Sequence, residues 1–134
     1  MTATSRIVLD SWAWLELFSG SEKGRKVDKA IANATETYTS IVTLAEVVST
    51  SARRERPTDD KTTVIRSQSK VVPASSDDAI VAGLLHAETK QRVPNFSLAD
   101  AFVLQLARKL GARVVTGDPD LRGLAKSELV ELVG

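Results

Sequence analysis

The sequence predicts an α/β fold, with helices on both faces of a mainly parallel sheet of about four or five strands. Short apolar or β-branched runs alternate along the chain with longer segments in which apolar residues recur at helical spacing. Strands that are separated in this way by helices pair in parallel and are covered on both sides. The chain of 134 residues has the size of one domain, over residues 1–134, and can bury a core without disulfides.

The predicted elements follow from these periodicities and from the residues that start and stop helices. In chain order they are strand 6–9, helices 12–18 and 21–32, strand 35–40, helices 41–54 and 58–69, strand 71–72, helices 76–90 and 98–110, strand 113–116, helix 121–125 and strand 129–133. Asp10 and Ser97 are of residue types that begin helices, and Gly111 is typical of a helix end.

Composition narrows the chemistry that the chain can perform. It contains no cysteine, which excludes disulfides, thiolate zinc sites and cysteine nucleophiles. His86 is the only histidine, so catalytic triads are disfavoured, and this residue is expected on a helix face. The net charge of +1 predicts no strong nonspecific attraction to nucleic acid. Neither a signal peptide nor a transmembrane segment is recognisable, and a cytoplasmic location is expected.

Acidic residues are therefore the main candidates for catalysis. Asp10 and Asp118 follow predicted strands, while Glu46 and Asp100 lie near the starts of predicted helices. Ligands of parallel α/β sheets bind at the carboxyl ends of the strands. We expect these four acids to converge on that edge of the sheet.

Structural roles compete with catalysis at three aspartates. Asp10 could simply cap the helix that follows it, which is a common use of aspartate. Asp118 could be an ordinary turn residue, and Asp120 could cap the short helix predicted after it. Taken one at a time, these segments leave both interpretations open.

Glu46 and Asp100 interrupt otherwise apolar helix starts. Each stands three residues after a hydroxyl residue, Thr43 or Ser97, which is the spacing of a capping box. No lysine or arginine lies within one helical turn of either acid, and a carboxylate among Leu, Ala and Val is costly to bury without compensation. A divalent cation would provide that compensation. Carboxylates and water suit Mg²⁺ or Mn²⁺ rather than zinc.

Four segments carry a resemblance to a known family. They are VLDSWAWLELF, TSIVTLAEVV, FSLADAFVLQLA and VVTGDPDL, in this order along the chain. Together they resemble the PIN domain, especially the toxin ribonucleases of the VapC type. The resemblance implies a three-layer α/β/α sandwich with an acidic quartet and two supporting residues. The quartet is Asp10, Glu46, Asp100 and Asp118, and the supporting residues are Thr116 and Asp120.

The same resemblance implies a metal-dependent endoribonuclease that forms a homodimer and has a small antitoxin protein as its partner. Mg²⁺ or Mn²⁺ would neutralise the scissile phosphate of the RNA and acidify the attacking water. Asp10, Asp100 and Asp118 are the expected metal ligands, and Glu46 could hold a water bound to the metal. In-line attack would leave a 5′-phosphate and a 3′-hydroxyl.

Two surface features bear on partners. Trp12, Trp14 and Phe18 support the predicted homodimer, because one short helix cannot bury three large apolar groups unaided. Of the two tryptophans, one is expected in the core and the other at the surface. The arginines of segment 53–56 form either a solvated helix end or a contact for RNA phosphates.

A PIN-like module that binds RNA or protein without cutting it is the main alternative function. A phosphatase of the haloacid dehalogenase type would need a second aspartate two residues after Asp10, where the chain has Trp12. A receiver-like signalling domain would need an early pair of acids that the chain lacks. The intact set of acids favours the ribonuclease.

Overall fold

A computed structural model describes residues 5–121, 124 and 128–131 of the chain. The elements in chain order are β1 (Arg6–Leu9), α1 (Ser11–Ser19), α2 (Glu22–Asn33), β2 (Glu36–Ser40), α3 (Ile41–Arg53), α4 (Asp59–Gln68), β3 (Lys70–Val72), α5 (Ser76–Lys90), α6 (Leu98–Leu110), β4 (Arg113–Thr116) and β5 (Leu129–Glu131). These bounds agree with the predicted elements to within two residues, except near the carboxyl terminus. There, Pro119–Leu121 forms a 3₁₀ turn where a helix was expected from residue 121. The remainder of that predicted helix, and residues 132–133 of the last predicted strand, lie outside the described residues.

The five strands form one sheet in the order β3-β2-β1-β4-β5, and every neighbouring pair is parallel. In the register of the central strands, Val8 of β1 lies opposite Tyr38 of β2 and Val114 of β4. A wholly parallel sheet requires a crossover between strands, and helices supply these crossovers here. The predicted α/β class with a parallel sheet is confirmed.

Helices cover both faces of the sheet, which makes the fold a three-layer sandwich. Successive side chains of a strand point to opposite faces. Ile7 and Leu9 of β1 accordingly pack into a core with Trp14 of α1. Val8, between them, packs on the other face against Val103 of α6. A strand buried on both sides has a continuous apolar run, which is the pattern of residues 7–9.

The central position of β1 determines where the candidate residues lie. β1 ends at Leu9 and β4 ends at Thr116, and the two strands are parallel neighbours. The segments that follow them, Asp10 and residues 117–118, therefore leave the same edge of the sheet side by side. β2 also ends at this edge, and α3 begins directly after it at Ile41. The prediction that Asp10 and Asp118 follow the carboxyl ends of strands is confirmed, and the structure shows that these two strands are neighbours.

Helices α5 and α6 pack against each other through a separate cluster that includes Ala82, Phe96 and Leu104. The N-cap of α5 is Ser75, one residue before the start signal predicted at Ser76. The ring of His86 lies on this helix pair, where its Nε2 is 3.1 Å from the carbonyl oxygen of Phe96. This contact agrees with the structural role expected for the histidine.

The aromatic residues of α1 correct the argument that linked them to a homodimer. Trp14 is fully buried, stacks on Phe18 with ring centroids 5.9 Å apart, and donates from Nε1 to Thr39 Oγ1 at 3.1 Å. Trp12 and Phe18 are half-buried and pack against the same core. The fold thus buries most of this aromatic surface by itself, and the premise drawn from α1 is wrong.

The large apolar side chains that remain exposed lie mainly on α5. Ile80, Val81 and Leu84 are 61%, 53% and 69% exposed. Exposed apolar patches of this kind are often sites of protein–protein contact. Within the described part of the chain, no helix is both long and apolar enough to cross a membrane.

Candidate active site

Asp10 occupies the junction between β1 and α1 and uses both of its carboxylate oxygens there. Oδ1 accepts a hydrogen bond from the backbone N–H of Ala13 at 2.8 Å, which makes Asp10 the N-cap of α1. Oδ2 accepts a hydrogen bond from the hydroxyl of Thr116 at the end of β4. The side chain is almost completely buried, with 3% of the residue exposed. The capping interpretation is therefore correct, and it does not exclude a second role.

Burial makes the ionised form of Asp10 unfavourable. The pKa of this carboxyl is raised from 3.8 to about 7, and desolvation by burial is the largest cause. The hydrogen bonds from Thr116 and Ala13 lower the pKa, but the negative charges of Asp100 and Asp118 raise it further. Near neutral pH the side chain thus exchanges readily between its neutral and ionised forms. A nearby cation would favour the ionised form.

Thr116 connects Asp10 to the segment that carries Asp118. The Thr116 hydroxyl donates to Asp10, and its oxygen accepts from the backbone N–H of Asp118 at 3.0 Å. Oδ1 of Asp118 in turn accepts from the backbone N–H of Asp120 at 2.9 Å. Side-chain bonds of this kind, two residues along the chain, fix the backbone of a turn. The turn interpretation of Asp118 is therefore also correct.

Asp100 lies in the first turn of α6, where it completes a capping box. Ser97 Oγ accepts from the backbone N–H of Asp100, and Asp100 Oδ2 accepts from the backbone N–H of Ser97, both at 3.0 Å. Partial burial raises the pKa of Asp100, the bonds with Ser97 lower it, and the charges of Asp118 and Asp120 raise it. The capping bond uses Oδ2, so Oδ1 remains for another ligand.

Glu46 has no part in capping, contrary to the interpretation as a capping box with Thr43. The N-cap of α3 is Ser40, whose Oγ accepts from the backbone N–H of Val42 at 3.2 Å. Glu46 consequently lies in the second turn, and its carboxylate is free of the helix terminus. The buried hydroxyl of Thr43 has no hydrogen-bond partner among the described residues.

The surroundings of Glu46 resemble those of the aspartates. Partial burial is the largest cause that raises the pKa of Glu46. A hydrogen bond from the hydroxyl of Ser11 lowers the pKa, while the charges of Asp100 and Asp118 raise it. Glu46 therefore belongs to the same electrostatic environment as the other three acids.

The four acids form a cluster of mutually repelling charges, which we call the acidic cluster (Asp10, Glu46, Asp100 and Asp118). Each of the other three has its pKa raised by Asp118. The salt bridges found among the described residues all involve other acids, so no lysine or arginine of that part neutralises the cluster. The structure thus brings the predicted quartet within electrostatic range.

The acidic cluster is not a closed ligand shell. Among the described residues, no group of three or more acids or histidines is arranged to hold a metal ion. Mg²⁺ in proteins is commonly held by one or two carboxylates, and water or substrate phosphate completes its octahedron. A repelling, partly buried set of carboxylates without a compensating cation fits an ion that is bound in this open manner.

The comparisons with known proteins agree with the fold and with the order of the motifs. A family model described as "PIN domain" matches residues 7–127. The chain belongs to the PIN domain family. No curated protein matches the chain.

Several solved structures that share this fold are described as toxins or toxin–antitoxin complexes. A toxin–antitoxin complex from Klebsiella pneumoniae matches at 22% identity and a TM-score of 0.71, covering 95% of this chain and 98% of that one. VapC20 from Mycobacterium tuberculosis, a Sarcin-Ricin loop cleaving toxin, matches at 20% identity and a TM-score of 0.72, covering 90% of this chain and 97% of that one. DNA-bound VapBC from Salmonella typhimurium matches at 18% identity and a TM-score of 0.71, covering 97% of this chain and 100% of that one. At these identities the likeness shows the fold, which resembles that of VapC toxins.

Two contacts at the PIN domain site could not be found from sequence reasoning. Ser11 lies at the start of α1, yet its hydroxyl is close enough to Glu46 on α3 to lower the pKa of that carboxyl. Gly117 follows β4 directly, yet the ring of Trp12 on α1 lies against it. Both contacts join residues that are far apart along the chain, so only the folded structure shows them.

The arginines of segment 53–56 lie away from the acidic cluster. α3 begins at the carboxyl end of β2 and ends at Arg53, and 13 helical residues span about 20 Å. Arg53, Arg54 and Arg56 are exposed at that far end. Their arrangement favours the interpretation as a solvated helix end.

Proposed function

We propose that this PIN domain is a metal-dependent endoribonuclease that hydrolyses phosphodiester bonds of RNA with Mg²⁺ or Mn²⁺. The observation that carries the proposal is the acidic cluster: Asp10 is buried without a cationic partner among the described residues and is tied through Thr116 to the turn of Asp118. Such an arrangement is unfavourable for folding alone. It becomes useful when a cation and a phosphate are bound.

Asp10, Asp100 and Asp118 would hold the metal, with Thr116 and Asp120 as supporting residues. The hydroxyl of Thr116 orients Asp10, and the backbone N–H of Asp120 orients Asp118. The bound metal would supply charge neutralisation at the scissile phosphate and a lower pKa for the attacking water. Asp100 has one oxygen committed to the helix cap and can offer the other.

Glu46 is the proposed general base. Its carboxylate does not cap the helix, and the nearby hydroxyl of Ser11 lowers its pKa. The water oxygen attacks phosphorus in line, its proton passes to a carboxylate oxygen of Glu46, and the bond from phosphorus to the 3′-oxygen breaks. The departing 3′-oxygen takes a proton from solvent. The products are a 5′-phosphate and a 3′-hydroxyl.

We further propose that the protein is the toxin of a toxin–antitoxin pair, with a small antitoxin protein as its partner. The support is its fold, which it shares with the Klebsiella pneumoniae complex and with VapBC of Salmonella typhimurium. Because cellular RNA is the proposed substrate, the cytoplasm is the proposed place of action. A homodimer is also proposed, with the exposed apolar side chains of α5 as the contact surface.

A PIN-like binding module without nuclease activity is the second candidate. The observation in its favour is that no three acids of the described residues are arranged to hold one ion. Such a module would bind RNA, or a protein, and leave it intact.

The deciding experiment incubates the purified protein with structured RNA in Mg²⁺, in Mn²⁺ and in excess EDTA. We expect fragments with 5′-phosphates in either metal, none in EDTA, and recovery when Mn²⁺ exceeds the chelator. Asp10→Asn should lose at least about 100-fold in rate, because it removes a charge that acts on the reacting centre. RNA that is bound but uncut in both metals would favour the binding module, and cleavage that persists in EDTA would refute the metal-dependent mechanism.

A further inference from the structure

The indole ring of Trp12 lies against the backbone of Gly117. A Cβ atom placed on Gly117 would be only 2.3 Å from Cη2 and 2.4 Å from Cζ2 of the Trp12 ring. Real Cβ atoms do not approach carbon atoms this closely, so any larger residue at position 117 would displace the ring or the turn. The absence of a side chain at Gly117 is therefore what permits the contact.

Gly117 lies between the two residues that define the turn at the end of β4. On one side Thr116 donates to Asp10, and on the other side Asp118 accepts from the backbone N–H of Asp120. A flat ring pressed on Gly117 restricts the backbone that joins these two hydrogen-bonded residues. The position of the Asp118 carboxylate depends on that backbone.

Trp12 also belongs to the first turn of α1, whose N-cap is Asp10. The same helix terminus thus carries one carboxylate of the acidic cluster and the ring that packs on the segment carrying another. The ring itself is held in place, because it packs against the core and Nζ of Lys23 lies 5.8 Å from its centre. A cation at this distance over an indole is attracted to it.

We propose that Trp12 is a positioning residue, which holds the Gly117–Asp118 turn in place beside Asp10. Trp12 acts through Gly117 and need not touch metal or RNA. The part of this inference that concerns metal binding and cleavage rests on the proposed function. The part that concerns the order of the turn does not.

The test uses variants that remove the contact from either side. Trp12→Phe keeps an aromatic ring against the core but lacks the distal ring atoms that reach Gly117. Gly117→Ala adds the Cβ that collides with the indole. Leu15→Ala is the control for the first, since Leu15 packs at the edge of the same core from α1. Gly83→Ala is the control for the second, because a Cβ there would have no atom within 4 Å.

The first measurement is amide hydrogen exchange at Asp118 and Asp120 in metal-free buffer, which reports on the turn whether or not the protein is a nuclease. We expect exchange at both amides to be at least about ten-fold faster in Trp12→Phe and Gly117→Ala than in wild type. Exchange in the two controls should stay within about two-fold of wild type. Equal exchange in Trp12→Phe and Leu15→Ala would overturn the inference.

The second measurement is Mn²⁺ affinity, read from the free-ion EPR signal, together with the melting temperature as a control for folding. We expect the two test variants to bind Mn²⁺ about ten-fold or more weakly, the loss typical of removing a residue that orients a ligand. The double variant, Trp12→Ala with Gly117→Ala, should be no worse than Trp12→Ala alone, because the collision is gone. Strictly additive losses would show that Gly117 is needed for another reason and would overturn the inference. Wild-type protein that binds no Mn²⁺ would instead count against the proposed function and leave the exchange measurement to decide the role of Trp12.

Discussion

Asp10→Asn is expected to stabilise the metal-free protein at neutral and alkaline pH while it abolishes cleavage. Burial raises the pKa of Asp10 from 3.8 to about 7, so the folded state holds this proton across a range in which the unfolded chain has lost it. Stability from this group is fully present below pH 3.8 and is lost as the pH rises towards 7. Above pH 7 no further loss occurs.

The magnitude follows from the same change in pKa. Moving a carboxyl pKa from 3.8 to about 7 corresponds to at most about 4 kcal/mol, because each ten-fold change in proton affinity is worth about 1.4 kcal/mol. Domains are stable by roughly 5–15 kcal/mol, so one buried carboxylate would remove a large part of the total. Asparagine avoids this loss, because its Oδ1 can still accept from Ala13 and its amide can donate to the Thr116 oxygen.

Urea denaturation of wild type and Asp10→Asn, followed by circular dichroism in EDTA from pH 4 to pH 8, measures the effect. The two free energies of unfolding should be similar at pH 4 and should diverge as the pH rises, with the variant more stable by up to about 4 kcal/mol at pH 8. Glu46 and Asp100, whose pKa values are also raised, are present in both proteins, so the difference reports the Asp10 charge together with its repulsion of the neighbouring acids. Saturating Mg²⁺ should narrow the gap, because a bound cation stabilises the ionised form. A variant that is less stable than wild type by a constant amount at every pH would refute the reasoning.

Three further predictions concern neighbouring residues. Asp118→Asn should melt at a higher temperature than wild type in EDTA, and its melting temperature should respond less to Mg²⁺. The reason is that the charge of Asp118 raises the pKa of the other three acids, while an asparagine can still accept a hydrogen bond from the backbone N–H of Asp120. A lower melting temperature with an equal Mg²⁺ response would contradict this. Ser97→Ala should lower the free energy of unfolding, measured in urea, by about 1 kcal/mol, since it removes the cap of α6. It should also weaken Mn²⁺ binding, because Asp100 loses its bond with the Ser97 side chain. Unchanged stability would show that the cap is dispensable. Leu84→Asp should convert the proposed dimer to a monomer in light scattering without unfolding it, because Leu84 is 69% exposed; a dimer that persists would place the contact elsewhere.

The central strands β1 and β4 could be predicted from the sequence because they are buried apart from their first residues. Residues 7–9 form an uninterrupted apolar run, followed by a residue that caps a helix, and both features survive in the structure. The bounds of α5 were predicted, but its N-cap was placed at Ser76 instead of Ser75, since Ser75, Ser76, Asp77 and Asp78 offer two capping registers. The structure adopts the register in which Asp78 returns a bond to the backbone N–H of Ser75 and so completes a capping box.

The members of the acidic cluster were predictable, but their hydrogen-bond partners and pKa values were not. The spacing of three residues paired Glu46 with Thr43 in a capping box, but the N-cap of α3 is Ser40, three residues before Thr43. The raised pKa of Asp10 depends on burial against β4, which lies about 100 residues away along the chain. Likewise, no local pattern links Trp12 with Gly117. Such properties arise from contacts between distant segments, which sequence periodicity does not encode.

Capping and the proposed metal binding at Asp10 would reinforce each other and need not be treated as alternatives. The N-terminus of α1 places partial positive charge beside the carboxylate, which offsets part of the unfavourable burial. Each carboxylate oxygen has more than one lone pair, so Oδ1 and Oδ2 can keep their bonds to Ala13 and Thr116 while one of them also faces a cation. The cap therefore fixes the orientation that a ligand would need before any ion arrives. It follows that Asp10→Ala should lose the cap, the bond with Thr116 and the charge, whereas Asp10→Asn loses only the charge. The difference in stability between these two variants at pH 4 measures the combined contribution of the cap and of the bond with Thr116.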